Sequence, residues 1–325
     1  MTDWLLSIQG LAVSFETEAG VFRVVDGIDL DIAPGSILGL VGESGGGKSV
    51  TALSIMRLLP KPWARIEAGA IQFGGRDIVG LSADELRKLR GGRIAMIFQE
   101  PMTALNPVHR IDRQIAEVFE LHEPSADSGT IRRKSRDMLA RVGIADPDRC
   151  LMSYPHQISG GMRQRVMIAM ALCGKPDLLI ADEPTTALDV TVQAQLLALI
   201  RDLQREFGMG VLWITHDLGV VAQLCDEAAV MYAGKIVEHA PVVSLFSDPM
   251  HPYTQGLLQA VPRLDTPAKQ RMHSISGTVP SFQSLPPGCR FQNRCPQRMP
   301  VCESVYPANR AVRNHKVACH LYDGE

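Results

Sequence analysis

Eight residues near the start of the chain constrain its fold more than any other segment. Gly42 to Ser49 read Gly-Glu-Ser-Gly-Gly-Gly-Lys-Ser, between the apolar run Ile37 to Val41 and an apolar helical segment. In such a strand–loop–helix context the glycines let backbone N–H groups turn toward phosphate oxygens, and the helix adds its positive dipole end. We expect Lys48 to reach the β- and γ-phosphates and the Ser49 hydroxyl to ligate Mg²⁺. A merely flexible glycine loop is the alternative, and the flanking strand and helix disfavour it.

The residues of this segment that we predict to bind a nucleotide are Gly42, Glu43, Ser44, Gly45, Gly46, Gly47, Lys48, Ser49 and Val50.

A second apolar run ends in two adjacent acids. Leu178 to Ala181 is followed by Asp182 and Glu183, and ligands of open α/β sheets gather at the carboxyl ends of strands. Asp182 is predicted to hold Mg²⁺, directly or through water, and Glu183 to polarise the attacking water as a general base. A solvated strand end is the alternative reading, which the phosphate-binding segment upstream disfavours.

A third segment, Ser159-Gly160-Gly161, opens a helix predicted from Met162 to about Leu172. Taken alone, such a string is usually a helix cap. It also forms an anion site at a helix N-terminus. One nucleotide does not need two such sites from one chain. Two copies arranged head to tail do, because each helix could then cap the nucleotide bound to the other subunit.

Apolar strands alternate with helical segments along most of the 325 residues, which predicts a mainly parallel sheet with helices on both faces. Leu5 to Phe15 and Ile28 to Ile32 are expected as two strands with a turn at Glu16 to Gly20 between them, and a hairpin is expected around Ala233-Gly234. Residues 109–175 show helical spacing and are predicted to be a helical insertion. Ser82 and Glu85 fit a helix capping box.

The texture of the chain changes at Pro262, where prolines, glycines and cysteines replace periodic apolar residues. We therefore predict two domains, residues 1–261 and a small irregular appendage at 262–325. Four of the seven cysteines lie in the appendage, at positions Cys289, Cys295, Cys302 and Cys319. Four thiolates can hold a [4Fe–4S] cluster or Zn²⁺. The absence of tight knuckles favours the cluster over zinc, and free or disulfide-bonded cysteines are the third reading.

Arginines 290, 294 and 298 lie among these cysteines. They are expected either to offset thiolate charge or to be solvated surface residues.

Charge and the pattern of apolar residues disfavour a nucleic-acid-binding, a membrane-spanning or a secreted protein. The formal net charge of −2 gives no indication of a nucleic-acid partner. No apolar run approaches the roughly 20 residues that cross a bilayer. The start of the chain has Asp3 and no Lys or Arg before its apolar residues, which argues against a secretory signal. The expected compartment is the cytosol, with any membrane role supplied by partners.

The motifs together resemble those of ATP-binding cassette (ABC) proteins over about residues 4–245. The resemblance implies a P-loop NTPase fold of the ABC type, α/β, with a mainly parallel sheet, an antiparallel β subdomain and a helical insertion. It further implies that Gln99 senses Mg²⁺ and the attacking water and that His216 contacts the γ-phosphate. Asp189 is implied to reach across the interface of a dimer of two ATPase subunits. Phe15 is similar to the aromatic residue that stacks on adenine, with Phe22 as its rival. The family signature has glutamine where this chain has Met162, which puts a ribose contact there in doubt.

Three strings narrow the resemblance to dipeptide and oligopeptide importers: the residues 98–107 around Gln99, the string His251-Pro252-Tyr253-Thr254, and the four-cysteine tail. The implied function is an ATPase subunit of an importer, at the cytoplasmic face of the membrane. Implied cofactors are ATP, Mg²⁺ and a [4Fe–4S] cluster. Implied partners are a second ATPase subunit, usually non-identical, two transmembrane permeases and an extracytoplasmic solute-binding protein, with no nucleic acid.

Alternatives stay open at this point. Nickel and glutathione importers share much of the pattern, and a homodimer is compatible with the complete set of motifs. A soluble ABC-type ATPase acting on DNA or ribosomes is the rival class. Genome-maintenance members carry a long coiled-coil insertion, and this chain has no such heptad stretch. Ribosome-bound members usually have two tandem cassettes, and this chain has one. The tail could also be a redox sensor that gates the ATPase.

Overall fold

The computed structural model describes residues 4–99, 104–186, 188–261 and 275–324, to which all structural statements refer. The chain divides into two compact units. Unit 1 comprises Met1–Ile32, Ser36–Val79 and Trp213–Glu325, and unit 2 comprises Ala33–Gly35 and Gly80–Leu212.

The described strands are β1 (Leu6–Thr17), β2 (Gly20–Ile32), β3 (Ile37–Val41), β4 (Ala64–Phe73), β5 (Arg76–Asp77), β6 (Ile94–Ile97), β7 (Leu178–Asp182), β8 (Gly210–Thr215), β9 (Glu227–Tyr232), β10 (Lys235–Pro241), β11 (Arg310–Val312) and β12 (His315–Val317). The described α-helices are α1 (Lys48–Ile55), α2 (Ala83–Leu89), α3 (Ile111–His122), α4 (Ser128–Arg141), α5 (Pro147–Met152), α6 (Gly160–Cys173), α7 (Val190–Phe207), α8 (Leu218–Leu224), α9 (Val242–Ser247) and α10 (Pro252–Gln259).

An antiparallel sheet in unit 1 has the strand order β2-β1-β4-β5. The two predicted strands are present, but β2 begins at Gly20 rather than Ile28, because it pairs with β1 along its whole length. Strand β4, which pairs with the other edge of β1, was missed by the sequence reading. The residues that point inward from β1, Leu6, Ile8, Leu11 and Val13, are almost fully buried. Their burial is the hydrophobic gain that holds this sheet to its unit.

A second set of strands in unit 1 runs in the order β11-β12-β10-β9-β3. Strand β3 pairs in parallel with β9, and β9 and β10 form the predicted hairpin through Ala233 and Gly234, whose φ angles are 44° and 84°. The cysteine-rich tail, which the sequence describes as irregular, contributes the two short strands β11 and β12 and pairs with β10.

Unit 2 contains the predicted helical insertion. Helices α3, α4, α5 and α6 pack against one another. Apolar residues spaced three and four apart on these helices are buried, among them Ile115, Phe119 and Leu139. Strands β6 and β7 of this unit pair in parallel, and the Ser82–Glu85 capping box predicted for α2 is present. The fold is therefore mixed α/β, as the alternation of elements predicts.

In the part of the chain that the structure describes, no helix is long and apolar enough to span a bilayer.

The start of α10 is a buried polar junction. His251 is the N-cap, and its Nδ1 accepts a hydrogen bond from the Tyr253 N–H at 3.0 Å. The backbone N–H of His251 donates to the Glu238 carboxylate at 2.9 Å. The same carboxylate is hydrogen-bonded to the His315 ring Nδ1 at 2.7 Å. Because the imidazole is buried, the pKa of His251 is lowered to about 3.

We therefore expect the free energy of unfolding to fall as the pH falls below 6.5. The unfolded histidine takes up a proton near its ordinary pKa of 6.5, whereas the folded one stays neutral down to about 3. The contribution is up to about 1.4 kcal/mol per pH unit. Urea denaturation between about pH 5 and pH 6.5 measures the slope of the free energy of unfolding against pH. The variant His251→Asn keeps an acceptor for the helix cap and is expected to lower that slope by the contribution of one proton.

The matched control is His156→Asn, because His156 is exposed and is expected to leave the slope unchanged. Equal slopes in His251→Asn and the unmodified chain would contradict the assignment.

Candidate functional site

The phosphate loop of unit 1 joins β3 to α1, as the sequence predicts. At Gly42 the φ angle is 157°, and an added Cβ would lie 2.1 Å from the Met231 carbonyl oxygen. At Gly47 the φ angle is 102°, and a Cβ would lie 2.9 Å from the Val24 carbonyl oxygen. Both positions exclude any side chain, so the loop backbone turns tightly against neighbouring strands.

Lys48 is the first residue of α1 and is buried, with 4% of its surface exposed. Its Nζ donates to the carbonyl oxygens of Gly42 and Glu43 at 2.7 and 3.0 Å. The ammonium group is therefore held inside the curve of the loop. A buried, fixed positive charge beside backbone N–H groups and a helix N-terminus can bind a phosphate group.

Two contacts from other parts of unit 1 fix the loop backbone. The Glu43 N–H donates to the Tyr253 hydroxyl at 2.9 Å, and the Gly234 N–H donates to the Gly46 carbonyl at 2.8 Å. Tyr253 lies on α10, so the string that resembles peptide importers contacts the phosphate loop directly. In the sequence, Tyr253 is distinguished only by that resemblance, because no local pattern indicates a contact across 210 residues.

The three arginines of the tail are neither thiolate partners nor uniformly solvated. Arg290 pairs with Asp26, Arg294 with Glu43 and Arg298 with Glu303. The side chain of Arg294 is 5% exposed and that of Arg298 is 42% exposed. Both sequence-based readings are therefore wrong for Arg294, since a carboxylate of the phosphate loop binds it.

The acidic strand end lies in unit 2. Asp182 closes β7 and is buried, and Glu183 follows with a φ angle of 46°. The Glu183 Oε2 accepts from Gln99 Nε2 and from Thr186 Oγ1, both at 3.3 Å. The structure thus brings Gln99 and Glu183 together, as their predicted roles require. A left-handed backbone conformation at a non-glycine residue costs energy and persists only where the surrounding structure enforces it. The two hydrogen bonds hold the carboxylate in one orientation.

The Ser159 segment caps a helix of unit 2. The Ser159 Oγ accepts the Met162 N–H at 3.3 Å, and α6 starts at Gly160, two residues before the predicted start. Ser159 and Gly160 are exposed. Apart from their helix's own backbone, no described atom lies within 4 Å of a Cβ added at Gly160 or Gly161. Packing within the described chain therefore does not require these glycines.

Asp189 has a structural role in the described chain, and its predicted role in a dimer stays a prediction. It is the N-cap of α7, and its Oδ1 accepts the Val192 N–H at 2.9 Å. His216 lies exposed at the carboxyl end of β8. Phe15 and Phe22 are direct cross-strand partners on β1 and β2, both half-buried. The two aromatic candidates are neighbours, so the backbone does not discriminate between them, and Phe15 stays a prediction.

The remaining loop residues, Ser44, Gly45, Ser49 and Val50, lie within the phosphate loop or the first turn of α1. Residues Glu100 to Thr103 of the segment around Gln99 lie outside the described residues, as do residues 262–274 at the predicted domain boundary.

The four tail cysteines lie in one neighbourhood. Burial raises the pKa of Cys289 to about 11 and that of Cys319 to about 12, and the neighbouring thiols add to both shifts. No three His, Cys, Asp or Glu side chains among the described residues are grouped so that they could hold a metal ion. The predicted [4Fe–4S] cluster and the alternative Zn²⁺ are therefore unsupported by this geometry, and no step below uses a metal in the tail.

Two family models match the chain. One, described as ABC transporter, matches residues 25–186, and the other, described as oligopeptide/dipeptide transporter, C-terminal region, matches residues 237–302. The predicted boundary at 261/262 lies inside the second match.

Curated relatives match almost the whole chain. A probable peptide ABC transporter ATP-binding protein of Sinorhizobium fredii is 50% identical over 98% of this chain and 95% of its own length. A dipeptide transport ATP-binding protein of Bacillus subtilis is also 50% identical, with the same coverage.

Solved structures show the same fold. The cbiO1 protein of Clostridium perfringens, part of an ABC transporter complex, has a TM-score of 0.63 at 26% identity and covers 76% of this chain and 92% of that one. A dimeric ATP-binding cassette bound to ADP and phosphate, 24% identical, has a TM-score of 0.66 over 73% of this chain and 98% of that one. With its phosphate loop and acidic strand end in place, the chain belongs to the ABC transporter ATP-binding proteins, in the group with the oligopeptide/dipeptide transporter C-terminal region.

Proposed function

We propose that this chain hydrolyses ATP to power an ABC importer of dipeptides or oligopeptides. The ATPase half rests above all on the phosphate loop, whose two obligatory glycines and buried Lys48 form a preorganised anion site. The peptide half rests on the match to the oligopeptide/dipeptide C-terminal region and on relatives that are named for peptide or dipeptide transport.

The chemistry follows from the types of side chain. Phosphoryl transfer needs positioning and charge stabilisation more than covalent help. Lys48 and the loop N–H groups bind the triphosphate, and Glu183 accepts the proton of the attacking water. Gln99, bonded to Glu183, orients that water, and His216 contacts the γ-phosphate.

Ser49 and Asp182 provide a hydroxyl and a carboxylate, which are the oxygen ligands that Mg²⁺ prefers. Bound Mg²⁺ supplies neutralisation of phosphate charge. We propose the family roles also for Phe15, which stacks on adenine, and for Asp189 at the second subunit.

The Ser159 segment supports the proposed assembly. Because the described chain does not itself need Gly160 and Gly161, we propose that they admit the phosphates of a nucleotide held by a second ATPase subunit, which is a non-identical relative. Two permeases and a solute-binding protein complete the importer, and the chain sits at the cytoplasmic face of the membrane. We also propose residues 1–261 as the ATP-binding domain and 262–325 as its extension.

The role of Glu183 can be tested with Glu183→Gln. An amide oxygen can still accept from Gln99, so the fold and ATP binding are expected to change little, but the amide cannot take a proton. Turnover in steady-state phosphate release is expected to fall by about 100-fold or more, while the Kd for a fluorescent ATP analogue stays within about 2-fold. Glu206→Gln, at an exposed ion pair with Arg141, is the matched control. Near-normal turnover in Glu183→Gln would remove the general base.

The transported solute can be tested by uptake in cells. Deleting the gene for this chain is expected to abolish uptake of a radiolabelled dipeptide, and the unmodified chain, but not Glu183→Gln, is expected to restore it. Nickel and glutathione uptake are measured in the same strains. Loss of either of these with normal dipeptide uptake would replace the peptide assignment by that solute.

A further inference from the structure

We propose that Arg294, in the cysteine-rich tail, is a positioning residue for ATP binding. It fixes Glu43, the second residue of the phosphate loop, so that the tail sets the affinity of the loop for ATP. The proposal rests on the proposed ATPase function and adds a residue that neither the phosphate loop motif nor the acidic strand end contains.

The Arg294–Glu43 pair is bidentate and largely buried. Arg294 Nη1 donates to Glu43 Oε2 at 2.6 Å, and Nη2 donates to Oε1 at 2.9 Å. The arginine side chain is 5% exposed and the glutamate side chain 33%. A planar guanidinium that meets a carboxylate with two parallel bonds fixes orientation as well as distance.

The guanidinium is itself held in one orientation. Its Nε donates to the Ser276 carbonyl at 3.0 Å, and its central carbon lies 5.7 Å from the centroid of the Tyr232 ring. The hydrogen bond to Glu43 raises the pKa of Arg294 further above its ordinary value, so the group stays charged. Arg294 is therefore a rigid support and not a flexible surface side chain.

Glu43 is held at three of its polar groups. Beside the carboxylate, its N–H donates to the Tyr253 hydroxyl at 2.9 Å and its carbonyl accepts from Lys48 Nζ at 3.0 Å. Two of these three partners, Arg294 and Tyr253, come from beyond residue 250. The first turn of the phosphate loop is thus positioned by the C-terminal part of unit 1.

Charge gives the pair a second effect. Glu43 places a carboxylate on a loop whose proposed ligand is a triphosphate, and like charges at short range disfavour binding. Arg294, whose own side chain is buried, neutralises that carboxylate, which is one-third exposed; a partly buried pair is screened less than a fully exposed one. Removing the arginine would leave an unpaired negative charge on the loop as well as a looser backbone.

A second tail arginine supports the loop indirectly, at Gly46. Arg290 donates to the Ala233 carbonyl and to the Asp26 carboxylate. The next residue of that hairpin, Gly234, donates its N–H to the Gly46 carbonyl at 2.8 Å. Burial alone would raise the pKa of Asp26, but the positive charges of Lys235 and Arg290 lower it overall. The segment between Cys289 and Cys295 therefore touches the loop directly at Glu43 and, through the hairpin, at Gly46.

The test is a double-mutant cycle on MgATP binding, with the chain in its full length. Variants are Arg294→Met, Glu43→Gln and the double variant, and the readouts are the Kd for MgATP by calorimetry and the KM and kcat for hydrolysis. Arg294→Met is expected to raise Kd and KM by about 10-fold, with kcat at saturating ATP within about 2-fold. The double variant is expected to have a Kd between those of Arg294→Met and the unmodified chain, because the unpaired carboxylate is gone but the loop still lacks its bidentate support.

Two further variants sharpen the cycle. Arg294→Lys keeps the charge but not the bidentate geometry, and an intermediate Kd is expected. Arg298 lies four residues after Arg294 and pairs with Glu303 at the surface. The variant Arg298→Met removes that pair and is expected to leave Kd unchanged. If Arg294→Met does not fold, as judged by circular dichroism, Arg294→Lys becomes the test of the pair. The other contact of Glu43 with the C-terminal part of unit 1 is tested by Tyr253→Phe. It deletes only the acceptor of the Glu43 N–H, and a rise in Kd of about 3-fold is expected.

Several outcomes would overturn the proposal. Arg294→Met, or Arg294→Lys where the methionine variant does not fold, binding MgATP as the unmodified chain does would show that the pair has no role in affinity. A double variant that binds MgATP as tightly as the unmodified chain would show that Arg294 only offsets charge and does not position the loop. A fall in kcat with unchanged KM would place the residue elsewhere in the cycle. Failure of the unmodified chain to bind MgATP would instead refute the ATPase function itself.

Discussion

The close approach of three backbone segments is the constraint on which unit 1 depends. The phosphate loop, strand β2 and the β9–β10 hairpin meet where an added Cβ at Gly42, Gly47 or Gly234 would lie 2.9 Å or less from a carbonyl oxygen of Met231 or Val24. No side chain fits between them, so the loop shape is set by backbone contacts. A loop held in this way gains its affinity for an anion without having to order itself on binding.

Lys48 shows how such a loop can be ready for a ligand. Its ammonium is buried, which would be costly if it were unpaired, and two loop carbonyls accept from it. Phosphate oxygens are better acceptors for a cation than neutral carbonyls. Exchange of one acceptor for the other therefore needs only a small movement of a charge that is already in place. In unit 2, the hydrogen bonds of Gln99 and Thr186 likewise hold the Glu183 carboxylate in one orientation.

The features that could be predicted from the sequence are those set by residues close together in the chain. The phosphate loop, the acidic end of β7, the cap at Ser159 and the Ser82–Glu85 box each depend on residues a few positions apart, and the structure has all of them at the expected places. Strand β4 was missed, and β2 was predicted too short. Pairing of both with β1 decides their extent, and pairing is not a local property.

The arginines of the tail show the same limit for the candidate site. Arg294 is 251 residues from Glu43 in sequence, and its neighbours Cys289 and Cys295 suggested chemistry with thiolates. Nothing in the spacing of the tail distinguishes Arg294, which is buried on the loop, from Arg298, which is exposed. The side chain's partner is decided by which surface the tail packs against, and that depends on β12 pairing with β10 and on β11 pairing with β12.

The junction at the start of α10 explains why the tail can act on the loop at all. Glu238 on β10 is fully buried and accepts from the N–H groups of Met250 and His251 and from the His315 ring. A buried carboxylate is tolerated only when such partners are all present, so β10, α10 and β12 must form together. Tyr253 lies two residues beyond His251, with its ring against Tyr232 and Phe291 at centroid distances of 4.7 and 5.3 Å. Its hydroxyl therefore reaches the Glu43 N–H at a position fixed by the tail, and the folding of the tail and the shape of the phosphate loop are one structural property.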